Sequence, residues 1–187
     1  RKQNDLFLNA EVIYDKSDRE DSNKKKSMVG FATKNIPHLG HKKIILNHTA
    51  KYNKVLVAIF NNADGNYSNN SNLAEIAYNK FIRENNLRKK VVLEKIFMPA
   101  FLLGPRQASL QAIIMKNLGC DAFIVGRDHS GFKNFYKEND SYKFCKKNEK
   151  KIGIKILKSG SPFYCLKCQK VMLRTECKCW KMDEETE

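Results

Sequence analysis

The sequence predicts an α/β fold: a parallel sheet covered by helices on both faces, followed by a small zinc-ribbon-like unit. Three observations predict it. Short runs rich in Val, Ile, Leu and Phe alternate with segments of helical spacing, the pattern of strand–helix–strand units whose strands are buried on both sides. Stretches bearing His, Arg, Lys and Asp fall just after the apolar runs, where ligands of such sheets bind. Four of the six cysteines crowd together near the carboxyl end, a metal spacing rather than a disulfide ladder.

The elements follow in order. Residues 1–26 are polar and charge-rich and read as a remnant of an N-terminal region or a linker. Within them Leu6-Phe7-Leu8 and Val12-Ile13-Tyr14 are able to pair as a strand, and residues 15–26 read as a mobile loop. Ser27 to Thr33 is a short apolar strand, and Leu39 to Tyr52 has helical character. Lys54 to Phe60, with Val55, Leu56, Val57 and Ile59, is a buried strand. Residues 61–72 are rich in Asn, Ser and Gly and read as a loop. Leu73 to Asn86 is helical, with Leu73, Ile76, Ala77 and Phe81 on one side. Val91 to Phe97 is a strand. Pro105 to Leu118 is a helix with Pro in a favoured first-turn position, aligning Ala108, Ala112, Met115 and Leu118. Asp121 to Val125 is a strand ending at Gly126, and Lys151 to Leu157 is another. The expected organisation is a core over residues 27–158 and a zinc-binding subdomain over 159–187, ending in the acidic, solvated tail Asp183 to Glu187.

Composition narrows the function. The 187 residues suit one domain with a small appendage. With 42% hydrophobic and 29% charged residues the chain is not broadly disordered. No apolar run approaches the roughly 18 residues of a membrane span. The polar start shows no secretory signal, and the missing initiator Met predicts a fragment of a longer protein. Cysteine usage suits a reducing cytoplasm. A net charge of +15 favours an anionic partner, namely nucleic acid, a nucleotide, phosphate or sulfate, and is equally read as a Lys-rich soluble surface. The basic residues are scattered in short runs without interleaved aromatics, which argues against a single-strand nucleic-acid binder.

Candidate site residues cluster after the strands. His38 and His41, three apart at a helix start, lie on one face near its positive end, where N–H groups and imidazoles form a phosphate cradle. Alone, such a pair is equally an incidental or surface feature. Thr33, Lys34 and Asn35 precede it, offering a hydroxyl, a cation and an amide. Gly126-Arg127-Asp128-His129-Ser130-Gly131 brackets charged residues with glycines that let backbone approach a ligand. Arg127 is suited to grip phosphate or sulfate in bidentate fashion; the alternative is a capped turn with a salt bridge. Arg106 begins a helix and either faces the same rim or is a surface residue. Cys165, Cys168, Cys177 and Cys179 make a four-thiolate set with no open position, hence a structural Zn2+ site, with free thiols or a redox switch as alternatives. Cys120 reads as a core residue and His48 as structural or exposed.

These residues resemble a known pattern. Phe31-Ala32-Thr33-Lys34-Asn35-Ile36-Pro37-His38-Leu39-Gly40-His41-Lys42 resembles the strand-to-helix motif of the ATP sulfurylase (sulfate adenylyltransferase) family, Phe-Gln-Thr-Arg-Asn-Pro-x-His-x-Gly-His-Glu. Gly104 to Ala108, with Gln111 to Ile114 and Lys116-Asn117, is similar to that family's Gly-Pro-Arg-Glu-Ala helix. Phe123 to Gly131 is similar to its most distinctive stretch, where Ala usually stands at Ser130. Phe163-Tyr164-Cys165 with Cys168, Thr175 and Cys177 resembles the zinc loop of bacterial and archaeal members, with Cys179 in place of a histidine. The resemblance runs in consistent order from Phe31 to Cys179.

It implies a Rossmann-like nucleotidyltransferase core of the adenine nucleotide α-hydrolase-like type. It implies attack of sulfate on the α-phosphate of ATP carried with Mg2+, giving adenosine 5′-phosphosulfate and pyrophosphate. Thr33, Lys34 and Asn35 would be catalytic, and His38 and His41 would hold the phosphates. Arg106, Gly126, Arg127, Asp128, His129 and Ser130 would contact nucleotide or sulfate. The expected partners are ATP and sulfate or another small oxyanion, in a cytoplasmic homo-oligomer without nucleic acid or membrane. Ala32 and Lys34 depart from the family's Gln and Arg: the first loses a polar contact, and the second keeps the charge but not the bidentate fork. Two other readings are a related adenylyltransferase with a different nucleophile and a catalytically degenerate, basic, zinc-containing binding module.

Overall fold

The computed structural model describes residues 27–61, 68–98, 103–131 and 135–179. Leu6 to Tyr14, residues 15–26 and the acidic tail lie outside these, as do residues 62–67 of the expected loop after the second strand; the rest of that loop is the end of β2 and the start of α2. The elements run β1 (Met28–Thr33), α1 (Leu39–Thr49), β2 (Lys54–Asn61), α2 (Ser68–Glu84), β3 (Val91–Phe97), α3 (Pro105–Asn117), β4 (Ala122–Val125), α4 (Asp140–Lys147), α5 (Glu149–Ile152), β5 (Lys155–Lys158), β6 (Pro162–Cys165) and β7 (Lys170–Leu173).

β1 to β5 form one sheet in the order β3-β2-β1-β4-β5, every pairing parallel. This is the strand order of a Rossmann-like doubly wound sheet. The period-2 alternation of the strands explains the two cores. Val29, Phe31, Val55, Val57, Ile59, Ala122 and Ile124 turn to one face and pack with Ile44 and Ile45 of α1 and Ala74, Tyr78, Phe81 and Ile82 of α2. Their neighbours Leu56, Ala58, Phe60, Phe123 and Val125 turn to the other, against Ala108, Ala112 and Met115 of α3, Cys145 of α4 and Ile152 of α5. Because both faces are covered, the central strands carry no polar alternation at all. Met28 donates its N–H to Asp121 Oδ2 at 2.9 Å, fixing the entry of β1 beside the start of β4.

Three expectations are corrected. α2 begins at Ser68, five residues before Leu73, and Leu73 and Ile76 are exposed. The buried stripe runs through Ala74, Tyr78, Phe81 and Ile82 at helical spacing. The segment Lys151 to Leu157 is not one strand: Lys151 and Ile152 close α5, and Gly153 caps it at φ 78. β5 starts only at Lys155. The left-handed cap is the usual way to stop a helix abruptly. The third is α4, a helix with no counterpart in the sequence reading.

β6 and β7 form a separate antiparallel hairpin. It packs on α1, where Lys43 pairs with Glu176 at 2.7 Å. No helix among the described residues is long and apolar enough to cross a membrane.

Candidate active site

The doubly wound order has one point where the chain reverses direction across the sheet. β1 leads through α1 to β2 on one side. α3 then carries the chain back across to β4 on the other side of β1. A crevice at the carboxyl ends of β1 and β4 is the consequence, and such crevices hold ligands. The segments following these two strands are Lys34 to His41 and Gly126 to Gly131.

On the β1 side, Thr33 is buried and its Oγ1 accepts the Asn35 N–H at 3.1 Å, which closes the turn at the strand end. Lys34 and Asn35 are exposed. His38 is the N-cap of α1, and its Nδ1 accepts the Gly40 N–H at 3.1 Å. A ring nitrogen that accepts has no proton, so Nε2 is the His38 nitrogen that can donate. The His38 and His41 rings stack with centroids 3.9 Å apart. Phe31 meets the His41 ring edge-on, and His41 Nδ1 hydrogen-bonds the fully buried Tyr78 hydroxyl at 3.1 Å. Burial, then the charge of His38, lower the His41 pKa to about 4, so its imidazole is neutral at pH 7. Burial also pushes the Tyr78 phenol well above its ordinary value.

On the β4 side, Gly126 N–H donates to His129 Nδ1 at 3.2 Å, and His129 Nε2 lies 2.6 Å from Gln111 Oε1. Ser130 Oγ donates to the same Gln111 oxygen at 3.2 Å. Burial, then the nearby Lys34 ammonium, lower the His129 pKa to about 4. Both ring nitrogens are therefore engaged within the protein. Ser141 Oγ of α4 donates to the His129 carbonyl at 2.7 Å, and Gly104 N–H to the Ser130 carbonyl at 3.1 Å. The latter bond joins the start of α3, and with it the exposed Arg106, to the turn. Gly104 sits at φ 47 with the Tyr136 ring where a Cβ would project, so only glycine fits. Gly131 is filled in the same way by the Asp128 carboxylate. Arg127 Nε pairs with Glu138 Oε1 at 3.3 Å, both side chains exposed.

The structure thus brings the two motifs to one rim. Gln111, Tyr78 and Ser141 hold the site residues but are not among the candidates read from sequence. Gln111 carries a signal there: it stands at helical spacing with Ala108, Ala112 and Met115, an amide in an apolar stripe, and is buried. His48 is buried away from the rim, its Nδ1 donating to the Ile44 carbonyl at 2.8 Å. Cys120 is buried as expected, its thiol pushed up to about 12 by burial and the Asp121 charge.

The four remaining cysteines form a second cluster. Their sulfurs all lie within 4.8 Å of one another, with Cys168 and Cys179 Sγ 3.7 Å apart. A tetrahedral zinc with bonds of ~2.3 Å needs sulfurs about 3.8 Å apart, so the set could hold such an ion. Cys168 N–H donates to Cys165 Sγ at 3.4 Å and draws the Cys165 thiol down to about 7. That is the arrangement of a Cys-x2-Cys knuckle.

The sequence profile of the ATP-sulfurylase family matches residues 16–187. The chain belongs to the ATP-sulfurylase family. Among curated relatives, the sulfate adenylyltransferase of Carboxydothermus hydrogenoformans is 31% identical over 161 residues, covering 81% of this chain and 40% of the relative. That of Hyperthermus butylicus is 32% identical over 156 residues, covering 81% and 39%. That of Chloroflexus aurantiacus reaches 45% over 75 residues, covering 40% and 20%. The chain thus spans about two fifths of the length of the first two relatives. Among solved structures, a hexameric APS kinase from Thiobacillus denitrificans superposes with a TM-score of 0.57 at 16% identity. It covers 81% of this chain and 28% of that one, a likeness of fold alone.

Proposed function

We propose that this ATP-sulfurylase family chain forms the catalytic core of a sulfate adenylyltransferase, acting within residues 27–158 and steadied by a zinc-binding unit over 159–187. The observation that carries the reading is the meeting of the His38/His41 helix start and the Gly126–Gly131 turn at the one switch point of the sheet. In the reaction a sulfate oxygen bonds to the α-phosphorus of ATP as the bond to the bridging oxygen of pyrophosphate breaks. Adenosine 5′-phosphosulfate and pyrophosphate are the products, and Mg2+ enters with ATP as part of the substrate.

Sulfate is a weak nucleophile, so positioning and charge neutralisation carry the rate. The N–H groups opening α1, with the His38 and His41 imidazoles, receive the phosphates that become pyrophosphate. The His41 ring acts as a neutral donor, which keeps the leaving group bound without trapping it as a fixed ion pair would. Thr33, Lys34 and Asn35 line the β1 side, Lys34 supplying positive charge towards the reacting centre. Arg106 and Arg127 add charge from the β4 side, and Arg127 exchanges Glu138 for a ligand oxyanion. Gly126, Asp128 and His129 shape the nucleotide side of the turn, and Ser130 faces sulfate. Cys165, Cys168, Cys177 and Cys179 would hold Zn2+, which cross-links the hairpin and takes no part in the chemistry. The working form is a cytoplasmic homo-oligomer.

Pyrophosphate release from MgATP, with and without sulfate, tests this. Sulfate-dependent release is expected, falling about 100-fold on His41→Ala if His41 acts as a transition-state donor. ATP binding without sulfate-dependent release would overturn the choice of nucleophile. Ala32 favours looking there next: it packs against the core beside α3 and offers no polar group to an oxyanion.

A further inference from the structure

An amide buried in the apolar stripe of a core helix costs stability unless it is bonded, and Gln111 is bonded twice through one atom. The proton positions follow from the bonding. Gly126 N–H donates to His129 Nδ1, so that nitrogen is bare and Nε2 carries the proton. Nε2–H and the Ser130 hydroxyl both donate, so the group of Gln111 that meets them is its oxygen. The Ser130 backbone sits at φ 56, a left-handed conformation a serine adopts only when its surroundings hold it there. Among the described residues, few other groups face the ring. β4 presents Phe123 edge-on, α4 presents Ser141 to the backbone carbonyl, and the charged group acting on the ring is Lys34 from the end of β1.

We propose that Gln111 is the positioning residue of the Gly126–Gly131 turn. Its amide oxygen locks His129 as the Nε2–H tautomer and holds the Ser130 hydroxyl, so that the turn meets its ligand through its backbone, that of Ser130 included, rather than through the His129 ring. The proposal deepens the sulfate adenylyltransferase reading and rests on it for the ligand, but not for the lock. It assigns the turn's shape to α3, a helix on the opposite face of the sheet from α1. It also makes the neutrality of His129 functional: a protonated ring would turn a second N–H, on Nδ1, against the Gly126 N–H beside the Lys34 ammonium and would push the turn away.

The test uses the whole chain labelled at its four histidines, followed by nitrogen NMR across pH, together with the pyrophosphate assay. In the parent chain His129 is expected as the Nε2–H tautomer at pH 7, remaining neutral to well below the pH at which an ordinary histidine charges. Gln111→Glu keeps the shape but puts a carboxylate on Nε2. It is expected to raise the His129 midpoint by more than one unit and to add a matching ionisation to the pH profile of kcat/KM. Gln111→Leu is expected to leave the tautomer to the Gly126 N–H alone, to free the ring and the Ser130 hydroxyl from α3, and to lower kcat/KM by roughly 10- to 100-fold. A His129 midpoint and tautomer in Gln111→Glu identical to the parent would overturn the proposal, whether or not Gln111→Leu folds. If the NMR changes occur while no variant, nor the parent, releases pyrophosphate with sulfate, the lock stands and the sulfate adenylyltransferase reading falls.

Discussion

His41 and His129 are both driven neutral by burial, and this gives the protein a specific acid sensitivity. Each has a folded pKa of about 4 against an ordinary value of 6.5. A lowered pKa means that the unfolded chain takes up the proton first as pH falls. Their contribution to stability is therefore complete above pH 6.5 and is lost progressively as pH falls towards 4. Urea unfolding across this window is expected to show a falling midpoint in the parent chain and a flatter one in His129→Asn; any metal contribution is common to both. Parallel curves would show that His129 is not held neutral. Tyr78 supports His41 from a fully buried position. Tyr78→Phe leaves a ring nitrogen without its partner, and a loss of about 1–2 kcal/mol is expected in the same urea experiment. Tyr78 shows what was and was not legible at the site. His38, His41 and the Gly126–Gly131 cluster stand out in the sequence because charged residues are unexpected at the ends of apolar strands. Tyr78 looks like any helix aromatic, and only its 3.1 Å contact to His41 gives it a role.

The elements divide by how much apolar surface they bury. β1, β2 and β4 are readable to within a residue because strands covered on both faces must be apolar runs; β3, a half-buried edge strand, is readable from Val91, Val92, Leu93 and Ile96 despite Glu94 and Lys95. α4 is invisible for the opposite reason: it buries only Ser141 and Cys145, so no large apolar stripe marks it. The false strand at Lys151 arises from Ile152, Ile154 and Ile156, which alternate like a strand although the first ends a helix. α2 misleads by rotation, because exposed Leu73 and Ile76 mimic a buried face. The zinc-type hairpin has a mechanical relation to α1: Pro162 lies against Gly40, and Glu176 pairs with Lys43. Stripping the metal is expected to speed hydrogen exchange in α1 and the hairpin while leaving β2 and β3 protected. Cys165→Ser is expected to bind less than the one zinc or so per chain that a four-thiolate site takes. Uniform loss of protection across the sheet would show instead that the hairpin has no particular hold on α1.

Across the molecule, topology does what no single motif can. Order β3-β2-β1-β4-β5 creates one switch point, and the segments after β1 and β4 carry Lys34 to His41 and Gly126 to Gly131. The parallel sheet was legible because apolar runs alternate with helices, which leaves few right-handed connections. The strand order was not, because runs this uniformly apolar do not say which neighbour each will pair with. Nor was the supporting layer beneath the rim, since Gln111 and Ser141 act through contacts between elements far apart in sequence. The net charge of +15 is spread over this surface and biases it towards anions without choosing one. The choice rests on the rim, and one titration reads it directly. MgATP added to the histidine-labelled chain is expected to shift His38 and His41 together in a saturable manner, with His129 following through the turn. His48, buried in the last turn of α1 with its Nδ1 bonded to the Ile44 carbonyl, is expected to stay still. Saturable binding that leaves His38 and His41 unmoved would place the nucleotide elsewhere and contradict a site at the switch point.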